Sequence, residues 1–254
     1  MDHQTAISCT CTCIARHDHD ALDPGILKTI KKCFFNAIDC GLKKKQIRET
    51  LERHLNSRDI ATQLCCTLEL NAYSLSSSTS SSASNLEDLV LLGFIYEKGF
   101  SNHWFKKNEE FAYQKYRESA DAGNSYGQYF VGVCFKKGIG IKIDWRMAYE
   151  FFEVSARQRN PAACYKLGSG YDRVQVPEQK KNCRLKAFLL YIEAANAGHV
   201  MAKILTGLCY EMNWGTERDI HQAIRWLLKA NNDQPSIVNN ALLRIFRPHD
   251  PLIY

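Results

Sequence analysis

Residues 125–156 read SYGQYFVGVCFKKGIGIKIDWRMAYEFFEVSA, and the same pattern occurs four times between residues 86 and 234. A glycine marks the first half of each copy, at Gly93, Gly132, Gly168 and Gly207. An alanine marks the second half, at Ala112, Ala148, Ala187 and Ala223. The period of 36 to 39 residues is typical of stacked repeat proteins, in which one unit cannot bury its own apolar face.

The spacing within the pattern predicts how each unit folds. From each of the first three alanines to the next glycine there are always 20 residues, whereas glycine to alanine within a unit takes 19 or 16. A constant interval indicates packed helices joined by a tight turn, and a variable interval indicates a surface loop. Each unit is therefore predicted to be a helix A with the glycine, a loop, and a helix B with the alanine. The units are 86–124, 125–160, 161–199 and 200–234.

The residues around these marks resemble a known repeat. Repeat two carries Val131-Gly132-x2-Phe135-x2-Gly138-x-Gly140 and then Ala148-x2-Phe151-Phe152. Repeat three carries Leu190-Tyr191-x2-Ala194-Ala195-x2-Gly198. This unit resembles the Sel1-like repeat, a relative of the tetratricopeptide repeat. The resemblance implies an all-α, right-handed α-solenoid of about four helix pairs.

Three positions depart from the Sel1-like pattern. Asn213 stands at a glycine slot after helix A, and asparagine tolerates the left-handed backbone of a helix C-cap. Arg159 and Gln234 stand where other repeats have glycine, so those turns are predicted to be strained or differently shaped. His199 occupies an inter-repeat position, and we expect it at the surface.

The flanking segments divide the chain further. Residues 1–23 are expected to be a disordered tail, and 24–73 a small helical region. Residues 74–85 hold eight serines and are predicted to be a flexible linker, so the N-terminal helices need not stack on the solenoid. Removing residues 1–80 should then leave the solenoid folded. Residues 235–246 are predicted to cap it, with Leu242, Leu243 and Phe246 in the packed slots, and 247–254 to be an irregular tail.

Composition excludes some classes of protein. The formal net charge of +6 over 254 residues is modest and does not argue for nucleic acid. No run of 18 apolar residues and no signal peptide is visible, so no membrane span and a cytoplasmic or nuclear location with reduced thiols are expected. The N-terminal cysteines and histidines lack the usual zinc spacing, and no metal is predicted. These residues are Cys9, Cys11, Cys13, His17 and His19.

Candidate chemistry is sparse. Gly138 and Gly140 lack the strand and third glycine of a dinucleotide site and are explained by the loop after helix A. Cys134, Cys164 and Cys209 fall inside A helices, where a small buried thiol is common. Catalytic residues and cofactors are therefore both predicted to be none. Among the tryptophans, packing is expected for Trp145 and Trp226, and exposure in A-to-B loops for Trp104 and Trp214.

Two classes of function stay open. The resemblance implies a binding scaffold or adaptor, as in signalling, or a regulatory subunit in cell-wall synthesis or protein quality control. The alternative is an enzyme like the cysteine-rich Sel1-like proteins reported to act on β-lactams, which are secreted and carry a regular cysteine pair in each repeat. Here the cysteines do not recur at one slot, so a non-enzymatic scaffold is favoured. The oligomeric state stays open.

Helix geometry predicts a binding surface. At about 100° per residue, one stripe of each A helix faces away from the packed slots and should line the concave face, by analogy with tetratricopeptide arrays. We expect it to bind another protein or peptide with acidic and apolar residues, since aromatic side chains give rigid contacts and Lys or Arg pair with carboxylates. The predicted contact residues are Tyr126, Tyr129, Lys136, Lys137, Tyr165, Arg173, Met201, Ile204, Met212 and Arg244.

Overall fold

A computed structural model describes residues 22–54, 63–64, 67–72, 83–99, 106–173, 177–231 and 233–246. Every regular element in these ranges is a helix. Two helices precede the repeats: α1 (Pro24–Asp39) and α2 (Lys44–His54). The repeats follow as four A and B pairs, α3 (Ala83–Lys98) with α4 (Glu109–Asp121), α5 (Ser125–Lys137) with α6 (Trp145–Arg157), α7 (Pro161–Asp172) with α8 (Pro177–Asn196), and α9 (Val200–Met212) with α10 (Ile220–Ala230). The last helix is α11 (Pro235–Phe246).

The glycine ladder lies where helices A and B of one repeat cross. A Cβ atom added at Gly132 would lie 2.7 Å from the Phe152 ring and 3.0 Å from the Ala148 carbonyl oxygen. The other three ladder glycines face the equivalent side chains Tyr116, Tyr191 and Leu227, and the equivalent alanine carbonyls. Since a side chain at these positions would collide with helix B, the ladder records a close helix crossing.

Each A-to-B loop is closed by backbone and capping hydrogen bonds. The Asp144 amide donates to the Phe135 carbonyl at 3.0 Å, and the Asp144 side chain accepts from the Met147 amide at the start of α6. Repeats one and four repeat this arrangement at Asn108 and Asp219. An Asp or Asn at the N-cap satisfies an otherwise unpaired helix amide, so the loop fixes where helix B begins.

The turns between elements carry the strain that the sequence indicates. Gly123 and Gly198 have φ of 88° and 100°, and Arg159 adopts φ of 60° at the equivalent position. A left-handed backbone costs a residue with a Cβ about 1–2 kcal/mol. Asn213 is the left-handed C-cap of α9, with φ of 57°, as the sequence predicts.

The N-terminal helices pack on the solenoid rather than lying apart from it. Ile30 and Phe34 of α1, and Leu51 of α2, are buried in one apolar cluster with A-helix residues Phe94 and Phe130. Leu64 and Leu68, in the helical residues 63–64 and 67–72, join the same cluster. Helix α3 begins at Ala83, so the last residues of the expected linker are helical. Residues 74–82, like 1–21 and 247–254, lie outside the described ranges.

The capping helix packs through a different face from the one predicted. Val238 and Ala241 of α11 are buried against Ile204, Leu227 and Ala230. The residues expected in the packed slots are less buried: Leu243 is 48% exposed and Phe246 is 66% exposed, while Leu242 packs only at the edge of this cluster. The equal spacing from Ala223 therefore gives the wrong register for the last helix, because α11 has no helix B against which those slots could pack.

Candidate functional site

The A helices form a face, here called the inner face, on which α1 lies. Phe34 of α1 contacts Phe94 of α3 edge to face, with ring centroids 5.1 Å apart, and stacks parallel to Phe130 of α5 at 6.4 Å. Phe35 packs against Tyr126 at 4.5 Å. Aromatic pairs in such geometries add to the free energy of burial. The first part of the inner face therefore already holds a helix of the same chain.

Buried ion pairs join the N-terminal helices to α3. Glu97 is 2% exposed, and its carboxylate is paired with Lys44 of α2 and with Lys98. The Tyr116 hydroxyl donates to the same carboxylate at 3.0 Å. Burial alone would raise the pKa of Glu97, but Lys44 and Lys98 hold it below its ordinary value. Glu97 is thus a charged anchor for α2.

A second buried acid repeats this arrangement. Asp88 of α3 is 1% exposed. It pairs with Lys31 of α1 at 2.5 Å and accepts a hydrogen bond from the Asn71 amide at 3.0 Å. A buried charge without a partner is costly. Asp88 and Glu97 therefore make α3 dependent on the N-terminal helices.

The turn after α1 reaches the middle of the solenoid. The Asp39 carboxylate accepts a hydrogen bond from the Tyr126 hydroxyl at 2.9 Å, and the Val200 amide donates to the Cys40 carbonyl at 3.1 Å. Gly41 lies on the His199 ring, because a Cβ there would be only 2.4 Å from Nε2. This is a second reason, besides its φ of 76°, for glycine at that position.

His199 is buried, so the expectation of a surface residue is wrong. It is 2% exposed, its Nδ1 accepts from the Ala202 amide at 3.3 Å as the N-cap of α9, and its ring stacks on Tyr165 at 4.5 Å. Burial, with the positive charge of Lys166, lowers the pKa of His199 to about 4. The neutral imidazole is needed here because a protonated Nδ1 cannot accept.

Three predicted contact residues are engaged within the chain. Tyr126 holds Asp39 and Phe35, as described above. Tyr129 packs edge to face on Phe130, with ring centroids 5.2 Å apart. Tyr165 stacks on His199. The tyrosines of the stripe thus lie at or next to the area that α1 and its turn cover.

The cations of the stripe lie beyond the area that α1 covers. Lys136 and Lys137 form the last turn of α5, and Arg173 is the C-cap of α7. Lys136 Nζ lies 5.5 Å from the ring centroids of both Trp145 and Tyr149. Trp145 is 51% exposed, so the expectation that it only packs is wrong.

Lys166 belongs with these cations and was missed from the sequence. Burial and the charges of Lys136, Lys137 and Arg173 lower its pKa to about 8. Burial and the Arg173 charge also lower the pKa of Lys136. The signal was present in the spacing, because residues 166 and 173 are seven apart and share one face of α7.

At the far end of the solenoid the predicted stripe divides. Ile204 is 1% exposed and belongs to the core under α11, and Met201 packs at the edge of that core. Met212 is 37% exposed. Arg244 of the cap pairs with Glu211 at 3.1 Å. Met212 therefore stays open to contact, whereas Ile204 is a packing residue.

The cysteines and tryptophans offer no further chemistry in the described ranges. The described cysteines are free thiols, and burial raises the pKa values of Cys134, Cys164 and Cys209 to about 12, which makes them poor nucleophiles. Trp226 is buried, and Trp214 is half-buried beneath the Arg184 guanidinium. Trp104 and the N-terminal Cys and His residues lie outside the described ranges.

Searches for metal sites and membrane spans gave no candidates. No three His, Cys, Asp or Glu residues come together as a metal site anywhere in the described part of the chain. No helix in the ranges that the structure describes has both the length and the apolar character needed to cross a membrane.

Solved structures share this fold. A protective antigen of uropathogenic Escherichia coli that displays an SLR fold matches with a TM-score of 0.61 and 20% sequence identity, covering 82% of this chain and 43% of that one. A Sel1 repeat protein from Oxalobacter formigenes matches with a TM-score of 0.56 and 23% identity, covering 72% of this chain and 73% of that one. At these identities the likeness concerns the fold alone.

Sequence comparisons give the family. A chitin synthase regulator, SKT5, of Malassezia restricta is 29% identical over 140 residues, which is 55% of this chain and 10% of that protein. This chain therefore spans only a small part of that relative. The Sel1 repeat family model matches residues 88–124, 125–160, 161–199 and 200–233, which is more than half of the chain. The chain belongs to the Sel1 repeat family.

Proposed function

We propose that this protein is a non-enzymatic interaction scaffold whose inner face binds a segment of another protein. Sel1 repeat proteins are generally scaffolds, and the likeness to a regulator of chitin synthase supports an adaptor or regulatory role. The observation that carries the proposal is α1 itself. Its Phe34 and Phe35 lie on aromatic rings of the A helices, and Asp39 accepts from Tyr126. A face that holds one helix in this way has the contacts needed for a second segment.

The open part of the inner face is where the partner segment would bind. It offers cations at Lys136, Lys137 and Arg173 and an apolar residue at Met212, the last in the same slot of its A helix as Lys137 and Arg173. Acidic and apolar partner residues would complement these side chains. A partner segment of this chemistry remains the expectation, and nucleic acid is not proposed.

A regulatory role in cell-wall polysaccharide synthesis is a second candidate. The observation in its favour is the match of 140 residues to the chitin synthase regulator. Co-precipitation of the full chain with a chitin synthase from the same cells, lost when the inner face is blocked, would support it. Co-precipitation of other proteins alone would favour a different pathway.

A cytoplasmic location is part of the proposal. The free thiols among the described cysteines support it, since disulfides rarely persist in the cytosol. A count of free thiols under denaturing conditions tests it. Paired cysteines would instead revive the alternative of a secreted, β-lactam-hydrolysing relative.

Site-specific photo-crosslinking tests the scaffold function. A photoreactive amino acid at Met212 should capture a partner protein that also binds the purified full chain directly. The same probe at Leu189, which is 54% exposed on the B helix α8, is the control and should capture nothing comparable. Capture at Leu189 and not at Met212 would place the binding surface on the B helices and contradict the proposal.

A further inference from the structure

Three cations surround one aromatic ring between repeats two and three. The Tyr149 ring of α6 lies directly on Gly170 of α7, where an added Cβ would be 2.3 Å from Cε1. Lys166, Gly170 and Arg173 are four and seven residues apart and therefore share one stripe of α7. Lys136 Nζ lies 5.5 Å from the centroid of the same Tyr149 ring. We call Lys136, Lys166 and Arg173 the cation cluster.

The cation cluster has no acidic partner among the residues that the structure describes. The two nearest acids on α6 are already paired, Glu150 with Arg146 at 3.1 Å and Glu153 with Arg157 at 2.8 Å. The cluster residues lower one another's pKa values, as described above for Lys136 and Lys166. Like charges held together at a partly buried site destabilise the charged state, and a bound anion would relieve this.

An apolar cavity adjoins the cation cluster. It has a volume of about 550 Å³ and is lined by α6 and α7, with Tyr149, Leu167 and Tyr171 as its apolar walls and Arg173 among its polar ones. The exposed Trp145 lies beside Lys136. Tyrosine, tryptophan and arginine are the residues that most often contribute binding free energy at protein interfaces.

We propose that the cation cluster and this cavity form one docking site for an acidic segment of a partner protein. A carboxylate of the segment pairs with Lys136, Lys166 and Arg173, and a neighbouring apolar side chain enters the cavity between α6 and α7. The guanidinium of Arg173 can bind a carboxylate with two parallel hydrogen bonds. The inference rests on the proposed scaffold function and names the chemistry of the segment that binds and the repeats that bind it.

Fluorescence polarisation with a defined probe tests the site. The probe is a fluorescein-labelled peptide of leucine and glutamate residues, and its counterpart has glutamine in place of every glutamate. The full chain should bind the glutamate peptide saturably, more weakly as salt is raised, and should bind the glutamine peptide at least about ten-fold more weakly. Equal affinity for both peptides, or no binding of the glutamate peptide, would overturn the proposal.

Matched variants locate the binding. Lys136→Gln with Arg173→Gln should weaken the glutamate peptide about ten-fold or more, and Lys166→Gln should weaken it independently. The control Arg218→Gln with Arg225→Gln removes the same charge from exposed cations elsewhere and should change the affinity less than about two-fold. Circular dichroism melts establish that each variant is folded. An equal loss in the control would mean that only net charge matters.

The outcomes separate this inference from the scaffold function. If the probe at Met212 still captures its partner in the Lys136→Gln, Arg173→Gln variant, the scaffold function stands and the docking site is refuted. If the peptide binds as expected but no partner is captured at Met212, the scaffold proposal fails while the site stands. Binding of phosphatidylserine vesicles in place of the peptide would assign the cation cluster to a lipid surface and overturn the proposal.

Discussion

The two parts of the inner face have the same repeat geometry and opposite charge balance. In the part covered by α1 and α2, the buried acids Glu97 and Asp88 are each paired with a lysine of the N-terminal helices. In the open part, the A-helix slot of Glu97 is taken by Lys136, and no acid among the described residues pairs with it. The difference teaches that charge is matched where the chain covers its own inner face. We infer that a partner supplies the matching charge in the open part.

Removing the N-terminal helices is the largest test of this comparison. Deletion of residues 1–80 should abolish cooperative unfolding, because it strips the partners from Asp88 and Glu97 and exposes Phe94 and Phe130. This reverses the expectation from the sequence that the solenoid folds without them. Deletion of 235–254 should be milder, since it uncovers only the small cluster under α11. Thermal unfolding followed by circular dichroism compares the two.

The reversal shows what the sequence could and could not predict. The repeats were predictable because the Gly and Ala ladders recur at fixed spacing, and close helix crossings leave such marks. The docking of α1 was not, because helical periodicity at Ile30, Phe34 and Ile38 shows which face is buried and not what buries it. An acid at position 97, in the slot where repeat two has Lys136, was the only sign that α3 faces basic side chains.

The cation cluster was half predicted for a related reason. Lys136 and Arg173 fell on the predicted stripe, but Lys166 did not, because its place beside them depends on how closely α7 approaches α6 at Gly170. His199 was assigned to the surface from its inter-repeat position alone. The structure buries it because the turn at Gly41, distant in sequence, covers it.

A single substitution in the covered part should have the next largest effect. Lys44→Met removes a partner of the buried Glu97 carboxylate and should lower the free energy of unfolding by about 3 kcal/mol, the lower end of the usual cost because Lys98 and Tyr116 still contact it. Urea denaturation measures this. The double variant Lys44→Met, Glu97→Met should recover much of the loss. A double variant no better than the single one would show that the pair does not anchor α2.

Acid should weaken the junction between the covered and open parts. The folded-state pKa of His199 is about 4, below the ordinary 6.5, so the unfolded chain binds a proton that the folded chain does not. Stability is then complete above pH 6.5 and falls as pH drops, by about 2 kcal/mol at pH 5. His199→Asn keeps an N-cap acceptor and should remove this part of the pH dependence. An unchanged slope in the variant would mean that other groups cause it.

The turn at the start of the open part should give the smallest effect. Arg159→Gly relieves a left-handed backbone but makes the unfolded chain more flexible, so a net gain of about 0.5–1 kcal/mol is expected. Gly123→Arg, at the equivalent turn of the covered part, should lose a similar amount. Guanidinium denaturation of both variants decides it, and a loss of stability on Arg159→Gly would refute the strain.

Competitive acylation of the lysine amines tests the central claim, that charge is matched in the covered part and unmatched in the open part. The full chain is labelled at pH 8 with a trace of an amine-reactive ester, and the rate at each lysine is read by mass spectrometry. With its pKa of about 8, the Lys166 amine is about half deprotonated and should react much faster than Lys44, whose ammonium is paired with Glu97. Arg173→Gln should slow Lys166 and leave Lys44 unchanged. Lys44 reacting as fast as Lys166, or Lys166 indifferent to Arg173→Gln, would contradict the account.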